Sequence, residues 1–122
     1  MIAPSPEPRW AVVGDADELA RLHAIGLGLA VDDAWRRTCR DDLARRLFQR
    51  DSCLVAFVID APTGRGLASA AVGFIHPVIR TPGNPAGRTA HLASVATTSR
   101  FRRRGFATAI ARAFVKEVTA QG

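Results

Sequence analysis

Four arginines and a glycine near the C-terminal end of the chain have the types and spacing of an anion-binding loop. They lie in Arg100-Phe101-Arg102-Arg103-Arg104-Gly105, and a helical pattern begins directly afterwards at Phe106. A turn that ends at a helix N-terminus points several unpaired backbone N–H groups outward, and the helix dipole there favours negative charge. Gly105 has no Cβ, so its backbone can approach a ligand closely. The loop therefore predicts a binding site for a diphosphate.

A predicted strand and a predicted helix position this loop. Residues 92–97 are a run of strand formers, and the segment after the loop carries apolar side chains at four-residue intervals: Phe106, Ile110, Phe114 and Val118. A strand, a loop and then a helix form the setting that a phosphate-cradling loop requires. The alternative interpretation of the four arginines is an ordinary solvated basic turn, one that could also contact nucleic acid.

Two helices are predicted in the first half of the chain, after a short strand at residues 10–13. Asp15 and Glu18 have the spacing of a capping box that starts the first helix. The second helix is predicted over residues 33–49. Its apolar stripe, which we expect to face a sheet, comprises Trp35, Cys39, Leu43 and Leu47.

Three further strands are predicted before the arginine loop. Residues 53–60 and 67–79 flank typical turn residues, so the two strands are expected to form a hairpin. Residues 80–88 have the composition of a loop, and residues 89–97 supply the last strand. The predicted order is strand, helix, helix, strand, strand, strand, helix.

In this order of elements the chain resembles the GCN5-related N-acetyltransferase (GNAT) superfamily. Arg102-Arg103-Arg104-Gly105-Phe106-Ala107 fits that family's Arg/Gln-x-x-Gly-x-Gly/Ala pattern for the acetyl-CoA pyrophosphate loop. The resemblance implies an α/β (α+β) fold, with a mixed, mostly antiparallel sheet flanked by helices. It covers the family's N-terminal two-thirds and stops before the fifth strand. We therefore expect a flexible tail at residues 1–8 and a single, truncated domain at residues 9–122.

The resemblance also implies a reaction and a binding site for its donor. The reaction is transfer of an acetyl group from acetyl-CoA to a primary amine, by direct attack in a ternary complex. The backbone of Val95, Ala96 and Thr97 would pair with the pantetheine arm, and Arg102 would lead the loop. The N–H groups that would hold the diphosphate belong to Arg103, Arg104, Gly105, Phe106 and Ala107.

Few residues qualify for proton transfer. His91 is the candidate base, because its reference pKa lies near neutrality, although a lone strand histidine is more often structural. His76 also lies on or beside a predicted strand, and Ser94 and Thr98 could bind water. The carboxylate that the family often carries on its fourth strand is absent, and the chain contains no tyrosine to protonate the leaving thiolate. The catalytic residues therefore remain open.

Two other functions compete with acetyl transfer. A fourth strand with one unpaired edge could join a second copy or another chain, which would make the protein a non-catalytic CoA-binding or assembly module. The formal net charge of +6 would also suit a nucleic-acid-binding module. That function is less favoured, because only Phe101 and Phe106 could stack on bases and Phe106 belongs to the helix stripe. For a transferase, acceptor choice is expected from residues 27–40 and 80–88.

Composition limits the class of protein. The 122 residues, of which 48% are hydrophobic and 23% charged, suffice for one globular domain. No apolar stretch approaches the roughly 20 residues of a membrane span, and the N-terminus lacks the pattern of a signal peptide. We therefore expect a cytoplasmic protein without a membrane partner. Cys39 and Cys53 have no metal-ligand spacing, so we expect no metal and predict that both pack as small buried residues.

Overall fold

The computed structural model describes residues 7–49 and 53–120. The predicted flexible tail at residues 1–8 therefore lies outside the described residues, apart from Glu7 and Pro8. Short 3-10 turns occur at Val13–Asp15 and Ser99–Phe101. The remaining elements are β1 (Arg9–Trp10), α1 (Ala16–Leu27), α2 (Asp33–Phe48), β2 (Leu54–Asp60), β3 (Leu67–Pro77), β4 (Arg88–Thr97) and α3 (Phe106–Ala120).

The four strands form one sheet in the order β1-β2-β3-β4, and every neighbouring pair is antiparallel. One face packs on α1 and α2, where the buried residues include Leu19, Leu22, Leu43, Val58 and Val72. The other face packs on α3, where they include Val55, Phe57, Ile110 and Phe114. The predicted fold class and order of elements are thereby confirmed. Strands β2 and β3 carry apolar side chains on both faces, because helices cover both faces of the sheet.

The first strand is shorter than predicted. Only Arg9 and Trp10 pair with β2, while Val12 and Val13 are 57% and 43% exposed. The Asp15 carboxylate accepts hydrogen bonds from the Val12 N–H at 2.8 Å and from the Arg9 guanidinium. These bonds stabilise a turn after Ala11, whose N–H still donates to the Ala56 carbonyl of β2 at 2.9 Å, so the strand does not continue to residue 13.

The predicted capping box at Asp15 and Glu18 is wrong. Asp15 already has a helical backbone conformation, with φ −86° and ψ −6°, and its side chain caps no α1 donor. The Glu18 carboxylate accepts instead from the backbone N–H of Leu67 at 3.0 Å and from Arg21 at 2.6 Å. Both acidic side chains thus serve contacts outside the first turn of the helix.

The second helix begins as predicted, with the Asp32 carboxylate accepting from the Trp35 N–H at 2.8 Å. Leu43 is buried, and Cys39 and Leu47 pack half-buried against the same cluster. Trp35 differs from the prediction, because its ring contacts α1 rather than the sheet. Burial is the main reason that the pKa of Cys39 is raised.

Strand β4 contains a bulge and lies at one side of the sheet. Val72 of β3 is opposite Ser94 while Gly73 is opposite Leu92, so Ala93 is an extra residue in β4. Within the described residues, β4 has β3 as its single strand partner. Its other edge is therefore open. None of the described helices has the length and apolarity that a membrane crossing requires.

Candidate functional site

The arginine loop starts from a residue that is firmly bound to β3. The Thr98 N–H donates to the Ala68 carbonyl at 2.7 Å, and the Thr98 hydroxyl donates to the Leu67 carbonyl at 2.9 Å. The same hydroxyl accepts from Arg21 of α1 at 3.0 Å. Thr98, a candidate for binding water, instead fixes the direction in which the chain leaves the sheet.

Phe101 anchors the middle of the loop. Its ring is 6% exposed and meets the ring of Phe106, also 6% exposed, edge-on at a centroid distance of 6.2 Å. The guanidinium groups of Arg100 and Arg104 lie 5.5 and 5.6 Å from the centre of the Phe101 ring. Because both aromatic rings are buried, neither can stack on a nucleic-acid base. The aromatic core thus holds the arginines at the surface.

The backbone of the loop has two residues with positive φ, a feature of anion-binding nests. Arg103 has φ 64° and Gly105 has φ 81°, and Arg103 is the one non-glycine residue with positive φ in the part of the chain that is described. An arginine in this region is strained, which is characteristic of functional loops. Alternating left-handed residues turn successive N–H groups toward the same side. Such a backbone is typical of loops whose N–H groups surround an anion.

The first turn of α3 adds further donors to this nest. The first hydrogen bond of the helix runs from the Ala109 N–H to the Gly105 carbonyl at 3.0 Å. The N–H groups of Phe106, Ala107 and Thr108 precede it and have no intrahelical acceptor. Since the helix dipole is positive at this end, the loop and the helix together favour an anion.

Among the described residues, no carboxylate forms an ion pair with Arg102, Arg103 or Arg104 of the loop. Arg102, Arg103 and Arg104 are exposed, and Arg102 Nε lies 3.5 Å from the Thr97 carbonyl. The ion pairs that the structure shows use arginines from other parts of the chain: Arg9, Arg21, Arg36, Arg40, Arg45 and Arg46. The loop can therefore attract a polyanion.

The end of β4 offers backbone groups beside the loop. The Ala96 carbonyl accepts from the buried Ser69 hydroxyl of β3 at 2.8 Å, so the backbone of Ala96 faces β3. Because successive residues of an antiparallel ladder direct their backbone groups to opposite edges, those of Val95 and Thr97 face the open edge. Of the three residues predicted to pair with a pantetheine arm, Val95 and Thr97 thus face the open edge and Ala96 faces β3.

An open apolar groove runs from this edge along α3, with a volume of about 710 Å³. Its lining consists of Val95 from β4 and, from α3, Ala107, Thr108, Ala111, Arg112, Val115 and Lys116. Ala107 is small enough to leave the groove continuous with the N-terminal end of α3. The groove can therefore accept an extended, largely apolar chain whose charged end lies in the arginine loop.

The predicted candidate base, His91, lies on the opposite face of the sheet from α3. It is exposed and stands opposite Phe74 in the register, and Phe74 packs against the cluster under α1 and α2. The His91 ring makes no hydrogen bond within the described residues. His76 is exposed at the end of β3. The structure thus brings neither histidine into a hydrogen-bonded arrangement.

A third histidine, which sequence reasoning missed, does have such an arrangement. His23 Nδ1 of α1 lies 2.6 Å from the hydroxyl oxygen of Ser94 in β4. The half-buried imidazole ring stacks with Trp35 at a centroid distance of 6.5 Å and an interplanar angle of 15°. Burial lowers the pKa of His23. The sequence did contain one indication that His23 is partly buried. It lies four residues after Leu19, beside the apolar stripe of α1.

The chain belongs to the acetyltransferase (GNAT) family. A sequence model of that family matches residues 28–122, which include β4, the arginine loop and α3. No curated protein sequence matches the chain. The family supports transfer of an acyl group in general. The arginine loop, β4 and α3 lie within the matched residues, whereas Arg21 and His23 of α1 precede them.

Solved structures of similar fold include several acetyltransferases. One is a predicted acetyltransferase from Clostridium acetobutylicum with acetyl-CoA, which has a TM-score of 0.75 and 18% identity over 94% of this chain and 74% of that one. Another is a GCN5-related N-acetyltransferase from Ralstonia eutropha JMP134, with a TM-score of 0.74 and 19% identity over 95% of this chain and 77% of that one. The TM-scores show that both proteins share the fold of this chain. At identities below 20%, the similarity extends to the fold alone.

Proposed function

We propose that this chain transfers an acetyl group from acetyl-CoA to a primary amine, by direct attack of the amine on the thioester. The observation that carries the proposal is the nest formed by Arg103, Gly105 and the first turn of α3, which lies beside the open edge of β4. The family membership supports acyl transfer, and the fold is shared with a protein whose structure includes acetyl-CoA.

In this proposal the donor follows the loop and the edge of β4. The N–H groups from Arg103 through Ala107 hold the diphosphate, and the Arg102 guanidinium adds a charge-assisted contact. The backbone groups of Val95 and Thr97 pair with the amides of the pantetheine arm. Binding in this way brings the thioester to the middle of β4, and no metal takes part.

The acceptor approaches the open edge of β4 from the side of α1 and α2. Residues 27–40 and 80–88 are proposed to choose the acceptor. Holding the amine and the thioester in contact supplies much of the rate enhancement, because the bimolecular reaction becomes effectively unimolecular. A direct attack needs no covalent nucleophile from the protein. It does need a group that removes a proton from the amine.

A second candidate function rests on the open edge of β4 and the apolar groove. Val115 in the groove is 60% exposed, and unpaired strand edges favour pairing with another chain. The chain could then act as a CoA-binding assembly module that forms a homo-oligomer through β4. The cytoplasmic location stays a prediction.

The experiment that tests the proposal is a transfer assay with purified protein, acetyl-CoA and a panel of primary amines, comprising a lysyl peptide, spermidine and benzylamine. Mass spectrometry measures the acetylated product, and light scattering on the same samples gives the oligomeric state. We expect product from the wild type, and at least about 100-fold less from an Arg102→Ala/Gly105→Glu variant, since the Arg102 contact is lost and a carboxylate is placed beside the diphosphate. Arg65→Ala removes an exposed arginine elsewhere and is the matched control.

Three outcomes of the assay are informative. Product from the wild type and the control, but not from the loop variant, supports the proposal. An oligomer that binds acetyl-CoA but gives no product supports the assembly module. Equal product from the wild type and the loop variant contradicts the proposed use of the arginine loop.

A further inference from the structure

The pair formed by His23 and Ser94 connects α1 to β4 on the face where the acceptor is proposed to approach. His23 Nδ1 and the Ser94 hydroxyl oxygen are 2.6 Å apart, and Ser94 is 7% exposed. Ser94 follows the bulge residue Ala93 and precedes Val95, whose backbone faces the open edge. The pair therefore lies next to the segment of β4 that is proposed to bind the donor.

The second ring nitrogen of His23 is open to solvent. Within the described residues, no side-chain nitrogen or oxygen is both buried and without a hydrogen-bond partner. The contact that His23 makes is through Nδ1, to Ser94. Because Nε2 has no partner, it must be accessible to solvent. If Nδ1 carries the ring proton and donates to Ser94, Nε2 has a lone pair that no described group binds.

A close approach of α1 to β4 holds the pair together. A Cβ on Gly26, three residues after His23, would lie 2.9 Å from the Ser94 Cβ and 3.3 Å from the Val95 carbonyl oxygen. The glycine therefore lets the helix backbone come close enough for the imidazole to reach the hydroxyl. Trp35 covers the ring from the side of α2. Both contacts limit the orientations available to His23.

Few charged groups act on the His23 ring. Of the acidic residues at the start of α2, Asp32 accepts from the Trp35 N–H, and Arg36 pairs with Asp17 of α1. Asp33 is exposed on the same turn, and His91 shares the sheet face with Ser94. Cys39 lies one turn further along α2. Burial lowers the pKa of His23 and so favours the neutral ring.

We propose that His23 is the base that takes the proton from the acceptor amine, with Ser94 and Trp35 as positioning residues. This inference rests on the proposed acetyl transfer. The acceptor enters as an ammonium ion, and Nε2 takes one of its protons. The nitrogen lone pair then forms the C–N bond as the C–S bond breaks. The second proton passes from nitrogen to the departing thiolate, and His23 returns its proton to solvent.

The tautomer of His23 tests the proposal without any acceptor. Long-range 1H–15N NMR spectra distinguish a protonated Nδ1 from a protonated Nε2, and His76→Gln and His91→Gln assign the signals of a chain with three histidines. We expect a proton on Nδ1, a free lone pair on Nε2, and a pKa of His23 below the usual histidine range. A proton on Nε2 throughout the neutral range would overturn the proposal.

Transfer kinetics provide the second test, with the same panel of amines. His23→Gln should lower kcat by about 100-fold or more, the usual contribution of a general base, while KM for the amine and Kd for acetyl-CoA change little. The wild-type rate should fall as the pH falls through the pKa of His23, because the imidazolium cannot accept a proton. His23→Gln should lack this dependence. Ser94→Ala should lower kcat less and alter the pH profile.

The controls separate this proposal from the proposed function. His76→Gln should leave kcat unchanged. An unchanged Kd for acetyl-CoA shows that each variant is folded. Full transfer by His23→Gln, with loss of transfer in His91→Gln, would make His91 the base. That result would overturn the role of His23 but not the proposed acetyl transfer. No transfer by the wild type would overturn the proposed function and the role of His23 together.

Discussion

Glu18 and Arg21 connect helix α1 to the strand that carries the arginine loop. The Glu18 carboxylate accepts from the Leu67 N–H at 3.0 Å and from Arg21, and Arg21 donates in turn to Thr98 at 3.0 Å. The hydrogen bonds from Arg21 are the largest cause of the lowered pKa of Glu18, followed by the opposing effect of burial. Glu18 therefore orients Arg21, and Arg21 in turn holds Thr98, the residue from which the arginine loop starts.

Replacing Glu18 by Gln should therefore destabilise the protein. The amide oxygen can still accept one hydrogen bond, but the charge-assisted bonds to Arg21 are weakened. After allowance for partial solvent screening we expect a loss of about 1 kcal/mol in the free energy of unfolding at pH 7. Urea denaturation at constant pH measures this loss. Glu7→Gln, at an exposed site whose carboxylate makes no described contact, should leave the stability unchanged and is the control.

The stability difference should depend on pH in one direction. Because the pKa of Glu18 is lower in the folded protein than in the unfolded chain, its contribution is present above the unfolded pKa and is lost as the pH falls through the folded value. The difference between the wild type and Glu18→Gln should therefore shrink below about pH 4.3. A difference that grows on acidification would contradict this account of the ion pair.

The role of Glu18 could not be predicted from local spacing. Asp15 and Glu18 satisfy the capping-box pattern, yet Glu18 binds Leu67, which is 49 residues away along the chain. A four-residue pattern contains no information about such a partner. The same limit applies to His23, since its partner Ser94 is 71 residues away. By contrast, Arg102 to Ala107 could be predicted as a loop before a helix, because that pattern is local.

At the scale of elements, the bulge in β4 and helix α3 meet at Gly73. Gly73 lies opposite Leu92, directly beside the bulge at Ala93. A Cβ on Gly73 would lie 2.6 and 2.7 Å from two ring atoms of Phe114 and would also overlap the carbonyl oxygen of His91. The absence of a side chain at this position therefore lets α3 and β4 pack against β3 together.

Gly73→Ala should force α3 or β4 away from β3. Overpacking of a tight core costs about 1–3 kcal/mol, and this site has both a backbone atom and an aromatic ring in the way. We expect a loss of that size in the free energy of unfolding, measured by urea denaturation. Gly14→Ala is the matched control, because a Cβ there meets nothing within 4 Å. Equal stability of the two variants would contradict the packing described here.

The boundaries of most elements could be predicted to within one or two residues. Apolar periodicity indicated α2 and α3, because each helix buries one face against the sheet. Continuous apolar runs indicated β2 and β3, because helices cover both faces of these strands. The clearest error in the strands is β1, which ends at Trp10 instead of residue 13. Its end depends on the Arg9 contacts to Asp15 and Asp60, and Asp60 belongs to a distant strand.

At the scale of the whole molecule, the sheet separates two different surfaces. The α3 side carries the arginine loop and the apolar groove, while the side of α1 and α2 carries His23, Ser94 and the exposed His91. The two surfaces meet at the open edge of β4. A donor on one surface and an acceptor on the other would therefore react at this edge, which is the arrangement that a ternary complex requires.

The net charge of +6 gives the molecule a long-range attraction for a polyanionic donor. Part of this charge is concentrated at the exposed Arg102, Arg103 and Arg104, which form no ion pair with a carboxylate in the described part of the chain. The attraction is screened by salt, so donor binding should weaken as the ionic strength rises from about 50 to about 200 mM. The net charge of the chain does not by itself indicate a binding site. The concentration of arginines in one loop does.

Calorimetric titration of the purified chain with acetyl-CoA tests the central claim most directly. We expect saturable binding by the wild type and by Arg65→Ala, weaker binding at higher salt, and at least about a 100-fold loss of affinity in Arg102→Ala/Gly105→Glu. Circular dichroism confirms that each variant is folded. Equal affinity of the wild type and the folded loop variant, or no binding by the folded wild type, would contradict the account of the arginine loop as the acetyl-CoA site.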